Sequence, residues 1–106
     1  MRSGVRRSSN PASASRVDTP LWDSLSRVSS ALVPGASTIP FLLVGATDAR
    51  FFRWAGATAY GYGLFSERIS FADFGSMFHG DDERIDQESL RLSEQLWEAV
   101  ARDFLA

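Results

Sequence analysis

His79 is the only histidine in the chain, and three acids, Asp81, Asp82 and Glu83, follow it closely. Imidazole is a common zinc ligand, and carboxylates can add oxygen ligands. A zinc site needs three or four protein ligands, so a single loop histidine is more simply a surface or helix-capping residue. The three acids are likewise more simply a solvated turn that leads into a helix. The residue types alone therefore leave two interpretations of His79, a metal ligand and a surface residue.

A second position with possible chemistry is the turn after the apolar run Ile39–Val44, where Gly45 is followed by Thr47 and Asp48. Main-chain N–H groups at the start of a helix can hold an anion. Only one glycine is present, which does not match the dinucleotide-binding or phosphate-loop fingerprints. From the residues alone, a structural turn between a strand and a helix is the simpler interpretation.

Several function classes are disfavoured by the composition. The chain has no cysteine, which excludes disulfides and thiolate metal sites, and it has no Gly-x-Ser-x-Gly nucleophile motif. Its net charge of −2 gives no field that favours nucleic acid, and no apolar run approaches the roughly 18 residues of a membrane span. All eleven basic residues are arginine, which is typical of a GC-rich bacterial genome. We therefore expect a cytoplasmic protein with no nucleic-acid or membrane partner.

Residues 1–17 differ in composition from the rest of the chain. They carry four arginines, several serines and no acid. This composition is typical of a mitochondrial presequence, but Gly4 and Pro11 would interrupt the amphipathic helix of such a presequence. A polar loop is the simpler interpretation. We predict a basic, flexible linker over residues 1–17 and a structured domain over residues 18–106.

Three helices are predicted after this linker. The first begins at Thr19, which can cap free N–H groups, and Pro20 suits its first position. Its apolar stripe consists of Leu21, Leu25, Val28 and Leu32. The second runs from Asp48 to Ala55, with Thr47 as its cap and Gly56 as its stop. The third begins after Asp86 and runs to about Leu105; its predicted inner face consists of Leu90, Ser93, Trp97, Val100 and Phe104, with Leu96 beside them.

Two strands are predicted between these helices. The apolar run Ile39–Val44 suits a strand covered on both faces, and Ala57–Leu64 suits a second strand weakened by Gly61 and Gly63. Residues 66–85 are predicted to be a long loop, which is uncommon and often functional in a small domain. Alternating helices and strands predict an α/β layer with two to three strands and three helices. Two strands are too few for an independent sheet, which suggests a partial domain.

The order of these segments resembles one known family. A Gly-Ala-Thr-Asp-Ala-Arg turn after an apolar strand is followed by Tyr-Gly-Tyr-Gly, by His-Gly-Asp-Asp-Glu-Arg-Ile and by a last helix. This is similar to the C-terminal part of the zinc-dependent family that includes acetylornithine deacetylase, succinyl-diaminopimelate desuccinylase, aminoacylase and glutamate carboxypeptidase. The resemblance covers residues 18–106 and implies part of a three-layer catalytic domain of the zinc exopeptidase type.

The resemblance also implies a chemistry. Two zinc ions activate a bridging water that attacks the amide of a small peptide or an N-acyl amino acid. His79 matches a ligand to one zinc, and Thr47 and Asp48 match positions beside the substrate pocket. The family's other ligands, its general-base glutamate and its inserted dimerisation domain have no match in this chain, so a homodimer would depend on a domain that is absent here.

The resemblance therefore leads to the hypothesis of a metallohydrolase fragment that is inactive alone and offers at most one zinc ligand. Two alternatives remain open. The chain could be a non-catalytic interaction module, because a truncated sheet exposes an edge and an apolar face that tend to find partners. It could also be one half of a split enzyme whose upstream half is encoded separately.

Overall fold

A computed structural model of the protein describes residues 12–42 and 47–106. It contains four helices, α1 (Pro20–Leu32), α2 (Ala49–Trp54), α3 (Phe71–Met77) and α4 (Gln87–Leu105). No residue of the described ranges belongs to a β-strand. The predicted α/β fold with two to three strands and three helices is therefore wrong, and the described part of the chain is all-helical.

The first helix begins as its sequence predicts. The Thr19 hydroxyl accepts a hydrogen bond from the Trp22 N–H at 3.1 Å, which satisfies one of the free donors at the start of α1. Pro20 occupies the first turn. Beyond the end of the helix, Gly35 adopts a φ of +89°, which a side chain would disfavour. The predicted apolar stripe of α1 does face the core, because Leu25 is buried and Leu21, Val28 and Leu32 pack beside it.

The last helix also has the predicted bounds, but it buries a different face. Asp86 caps α4 by accepting the Ser89 N–H at 3.0 Å. The side chains that α4 buries are Ser89, Leu92, Leu96 and Val100. Leu90, Trp97 and Phe104, which were predicted to face inward, are 54%, 46% and 44% exposed. Val100, which was predicted to face inward, and Leu96, which was predicted beside that face, are buried as expected. The buried face is therefore rotated about the helix axis relative to the predicted one.

Polar contacts between α1 and α4 lie on the same side of α4 as its buried residues. Asp103 on α4 accepts a hydrogen bond from the buried Ser24 hydroxyl at 2.6 Å and pairs with the Arg27 guanidinium, both on α1. Residues 92, 96, 100 and 103 are spaced by three or four and share one side of the helix. Because Asp103 is held against α1, the apolar residues on its side are buried with it.

These two helices form the centre of the structure. Among the described elements, α1 and α4 are the one pair in extensive contact. Leu25, Leu96 and Val100 form the buried cluster between them, and Tyr60, Tyr62 and Leu64 pack against that cluster. The core is therefore a helix pair covered on one side by residues 57–65, which we call the tyrosine segment.

The tyrosine segment was predicted to be a strand, and it keeps only part of that character. Tyr60, Tyr62 and Leu64 point to the core in the two-residue alternation of a strand. The Tyr62 hydroxyl bonds to the Ser29 hydroxyl at 2.7 Å and to the Thr38 hydroxyl at 3.1 Å. A strand also needs a neighbour to pair with its main chain, and no neighbour lies beside this segment in the described structure.

The other predicted strand, Ile39–Val44, lies partly outside the described residues. Its described part, residues 39–42, is not paired, and Ile39, Phe41 and Leu42 are 73%, 72% and 83% exposed. An apolar run that was expected to be covered on both faces is thus open to solvent. The same physical reason applies, because the described residues form no sheet that could cover it.

The short helices lie outside the core. Gly56, with a φ of +96°, ends α2 as predicted. Helix α3 lies within the stretch that was predicted to be a loop, and it begins at Ser70, whose hydroxyl accepts the Asp73 N–H at 3.1 Å. No helix in the described ranges is long and apolar enough to cross a membrane.

Candidate functional site

His79 lies in a tight turn directly after α3. It is the one non-glycine residue with a positive φ, at 60°, in the described chain. Histidine tolerates this left-handed region better than most residues, but it remains an uncommon conformation. The turn is held by two hydrogen bonds, from the Gly80 N–H to the Met77 carbonyl at 2.8 Å and from the His79 N–H to the Glu83 carboxylate at 3.0 Å. The side chain of His79 is exposed at the surface.

The acids beside His79 do not complete a metal site. The Glu83 carboxylate is bound to the His79 main chain, and Asp81 and Asp82 are exposed. No group of three or more His, Asp or Glu side chains within residues 12–42 and 47–106 is arranged to hold a metal ion. Zinc requires three or four protein ligands, so the described residues do not fit a zinc ion on their own.

Thr47 and Asp48 lie at the start of α2, and both are exposed. The Thr47 hydroxyl accepts a hydrogen bond from the Ala49 N–H at 3.3 Å, and its carbonyl accepts one from the Arg50 guanidinium at 3.0 Å. Asp48 takes the N-cap position without a capping hydrogen bond from its side chain. The predicted cap is therefore displaced by one residue, although the Thr47 hydroxyl does contact the first turn.

The predicted site residues lie beside two different short helices, α2 and α3, of the described structure. No hydrogen bond or ion pair between described residues joins Thr47 or Asp48 to His79. Helix α2 is short and buries none of its residues, and His79 follows a different short helix. The rest of the turn before Thr47, which includes Gly45 and Ala46, lies outside the described residues.

A groove of about 550 Å³ lies between residues 65–74 and the start of α4. Its walls are mostly apolar, with Phe65 packed against Phe74 at a ring-centroid distance of 4.6 Å. None of His79, Thr47 and Asp48 lines this groove. Sequence reasoning missed it because its walls belong to the stretch that was predicted to be a loop, although the aromatic residues there were a visible signal.

The polar floor of the groove is a network around Asp86. The Asp86 carboxylate accepts hydrogen bonds from the Ser66 hydroxyl at 2.6 Å and from the Ser89 hydroxyl at 2.6 Å. The Ser89 hydroxyl in turn accepts the Ser66 N–H at 2.8 Å. The bond from Ser66 first, and then those from Ser89, lower the pKa of Asp86 to about 2.

This network has a structural role rather than a catalytic one. A carboxylate with so low a pKa is a poor general base near neutral pH. A serine nucleophile needs an adjacent base with a pKa closer to neutrality, and His79 does not line the groove. The network joins Ser66, which directly follows the tyrosine segment, to the first turn of α4, and its three residues line the groove.

Comparisons with known proteins found no match to this chain among protein-family models, curated proteins or solved structures.

Proposed function

We propose that this chain is the C-terminal part of the catalytic domain of a di-zinc metallohydrolase that cleaves amide bonds of N-acyl amino acids or small peptides. In this proposal His79 supplies one zinc ligand, and Thr47 and Asp48 lie beside the substrate pocket. The remaining ligands and the general base come from residues outside this chain. Residues 1–106 alone have no hydrolase activity.

The observation that carries the proposal is the conformation of His79. A left-handed non-glycine residue is costly, by about 1–3 kcal/mol, and such residues concentrate at active sites and ligand clamps. Here the turn is fixed by the Met77 carbonyl and the Glu83 carboxylate, while the imidazole stays exposed. A capping or packing histidine would use its ring within the fold. An imidazole presented outward on a fixed turn is available to a metal ion held by other residues.

A second observation supports an incomplete domain. Apolar side chains of residues 39–42 are mostly exposed, and α2 exposes Phe51, Phe52 and Trp54 by about half or more. Contiguous exposed apolar patches mark interaction surfaces in stable proteins. In the proposed function, the rest of the catalytic domain covers these side chains.

The first experiment titrates the purified chain with zinc by calorimetry and assays it with N-acetylated amino acids. We expect no zinc binding at submicromolar affinity and no turnover, because one ligand is not a site. Submicromolar binding or turnover by residues 1–106 alone would contradict the proposal.

The second experiment uses a longer polypeptide that adds the residues encoded upstream, where we expect His-x-Asp and Glu-Glu ligand motifs. This protein should bind two zinc ions by elemental analysis and hydrolyse an N-acyl amino acid. His79→Ala should remove one zinc ion and the activity, whereas Asp81→Asn, a change at an exposed acid in the same turn, should keep both. Full zinc content and activity in the His79→Ala protein would overturn the assignment.

A non-catalytic interaction module is the second candidate function. The observation in its favour is the same exposed apolar surface, taken with the absence of a complete metal site in the described residues. Thermal unfolding separates the two candidates. A module that folds by itself unfolds cooperatively as a single species, whereas a fragment loses its few tertiary contacts over a broad temperature range.

A further inference from the structure

The tyrosine segment has main-chain groups that the described structure leaves without partners. Hydrogen bonds hold both of its ends. At one end, the Ala59 N–H donates to the Ser15 hydroxyl at 2.9 Å, and the Ala59 carbonyl accepts a bond from the Arg53 guanidinium at 2.9 Å. At the other end, the Leu64 carbonyl accepts a bond from the Ser93 hydroxyl. Between these points, no hydrogen bond within the described ranges reaches the N–H or C=O groups of residues 60–63.

The large side chains on one face of the tyrosine segment pack against the helix pair. Tyr60, Tyr62 and Leu64 face the α1–α4 core, which leaves Gly61 and Gly63 between them. A Cβ atom at Gly61 would meet no heavy atom within 4 Å, so this position opens to solvent. The helix pair therefore covers one face of a strand-like segment, and the described structure leaves the main-chain hydrogen-bonding groups of residues 60–63 unused.

In a strand, the main-chain groups of alternate residues point to the same edge. Since the segment keeps the two-residue alternation of a strand, we expect the groups of Tyr60 and Tyr62 to point to the edge opposite the one on which Ser15 and Arg53 hold Ala59. We propose that two copies of this chain pair at that edge, as antiparallel strands related by a two-fold axis at Gly61. Tyr60 of each copy then lies opposite Tyr62 of the other, and four main-chain hydrogen bonds form.

The local sequence favours a second copy as the occupant. An isologous contact needs a surface that is complementary to itself, and Ala59-Tyr60-Gly61-Tyr62-Gly63 is nearly palindromic about Gly61. Tyrosines then face tyrosines and small residues face small residues. At the axis, the two Gly61 residues form a non-hydrogen-bonded pair, where Cα atoms approach to about 4.5 Å.

The segment also lacks the features that prevent edge pairing. Natural edge strands are protected by charged residues, proline or bulges. Residues 57–65 contain no charged residue and no proline. The contact is small compared with the roughly 1,200 Å² of a stable interface, so we expect a weak dimer whose formation depends on protein concentration.

The test measures the mass of the full chain by sedimentation equilibrium over a wide concentration range. The wild-type chain should pass from monomer to dimer, and Gly61→Lys should weaken the dimer by about fivefold or more, because like charges would lie opposite each other at the axis. Gly75→Lys places the same charge at another exposed glycine with open space around its Cβ, and it should dimerise like the wild type.

Two further measurements make the test decisive. An equimolar mixture of Gly61→Lys and Gly61→Glu chains should regain the dimer, because only a two-fold axis at residue 61 brings these side chains together. In the wild type, the amide protons of Tyr60 and Tyr62 should exchange more slowly at high concentration than at low concentration. A chain that stays monomeric at all concentrations, a Gly61→Lys chain that dimerises normally, or a mixture that stays monomeric would overturn the proposal.

Discussion

Replacing Leu96 with alanine tests the packing of α4 most directly. Leu96 is fully buried between α1 and α4, with 0% of its surface exposed. Burying a whole leucine side chain contributes about 1.5–3 kcal/mol, and the cavity left by truncation adds to the loss. We therefore expect Leu96→Ala to lower the free energy of unfolding by about 2–5 kcal/mol.

Leu90→Ala is the matched control, because it makes the same chemical change on the same helix. Leu90 is 54% exposed, so its truncation removes less than half of the buried surface that a fully buried leucine has, and it leaves no closed cavity. We expect a loss of about 1 kcal/mol or less, from the same burial scale. The contrast matters because the sequence pattern predicted that Leu90 faces inward, with Leu96 at the margin of that face.

The assay is urea unfolding followed by circular dichroism at the helix band. The slope of the free energy of unfolding against urea concentration should be the same in all variants. For a chain of this size, a loss of 2 kcal/mol lowers the melting temperature by roughly 8–16 °C. An equal or larger loss for Leu90→Ala would refute the described rotation of α4, and with it the α1–α4 core.

Two further changes test local features of the fold. The pKa of Asp86 lies near 2, below its ordinary value of 3.8, so the folded state favours the carboxylate. Its contribution to stability should be complete above about pH 4 and should be lost as the pH falls towards 2. In Asp86→Asn, which keeps an N-cap side chain, this part of the acid dependence of unfolding should disappear; an unchanged acid dependence would contradict the described network. Gly56→Ala should destabilise the protein by about 1–2 kcal/mol in chemical unfolding, because an L-residue is strained at a φ of +96°. Gly75→Ala, at a helical glycine with ordinary φ, should instead leave stability unchanged or raise it by up to about 1 kcal/mol, and equal losses for both would argue against the described turn.

The starts of the two long helices, α1 and α4, were predictable from the sequence because capping residues define them. Thr19 with Pro20 and Asp86 define the starts of α1 and α4, and both caps form the expected hydrogen bonds. Helix α3 was missed, although Ser70 and Asp73 stand in the spacing of an N-terminal cap. Its short length and Gly75 hid the periodicity that identifies longer helices.

The strands could not be decided by the sequence, because a strand depends on its neighbour. The two-residue alternation of Tyr60, Tyr62 and Leu64 was real, and it describes which side chains face the helix pair. It contains no information on whether another strand is present to accept the main-chain hydrogen bonds. The α/β prediction assumed such a neighbour, and the described part of the chain does not provide one.

The rotation of α4 could not be predicted from the sequence for a related reason. Leucines at positions 90, 92 and 96 allow two overlapping apolar faces with helical spacing. The bond between Ser24 and Asp103 selects one of them, and this pairing joins residues far apart in the chain. For the candidate site, the sequence could nominate His79, Thr47 and Asp48 by resemblance, but their roles stay predictions.

The pairing of α1 with α4 has a consequence for how the protein folds. Residues 33–86 separate the two helices, so the first core contact closes a long loop and must wait for it. Contacts between distant parts of a chain slow folding. During synthesis on the ribosome, the tyrosine segment emerges before α4, so the part of the α1 apolar stripe that α4 covers stays open to chaperones and to neighbouring chains until α4 has emerged.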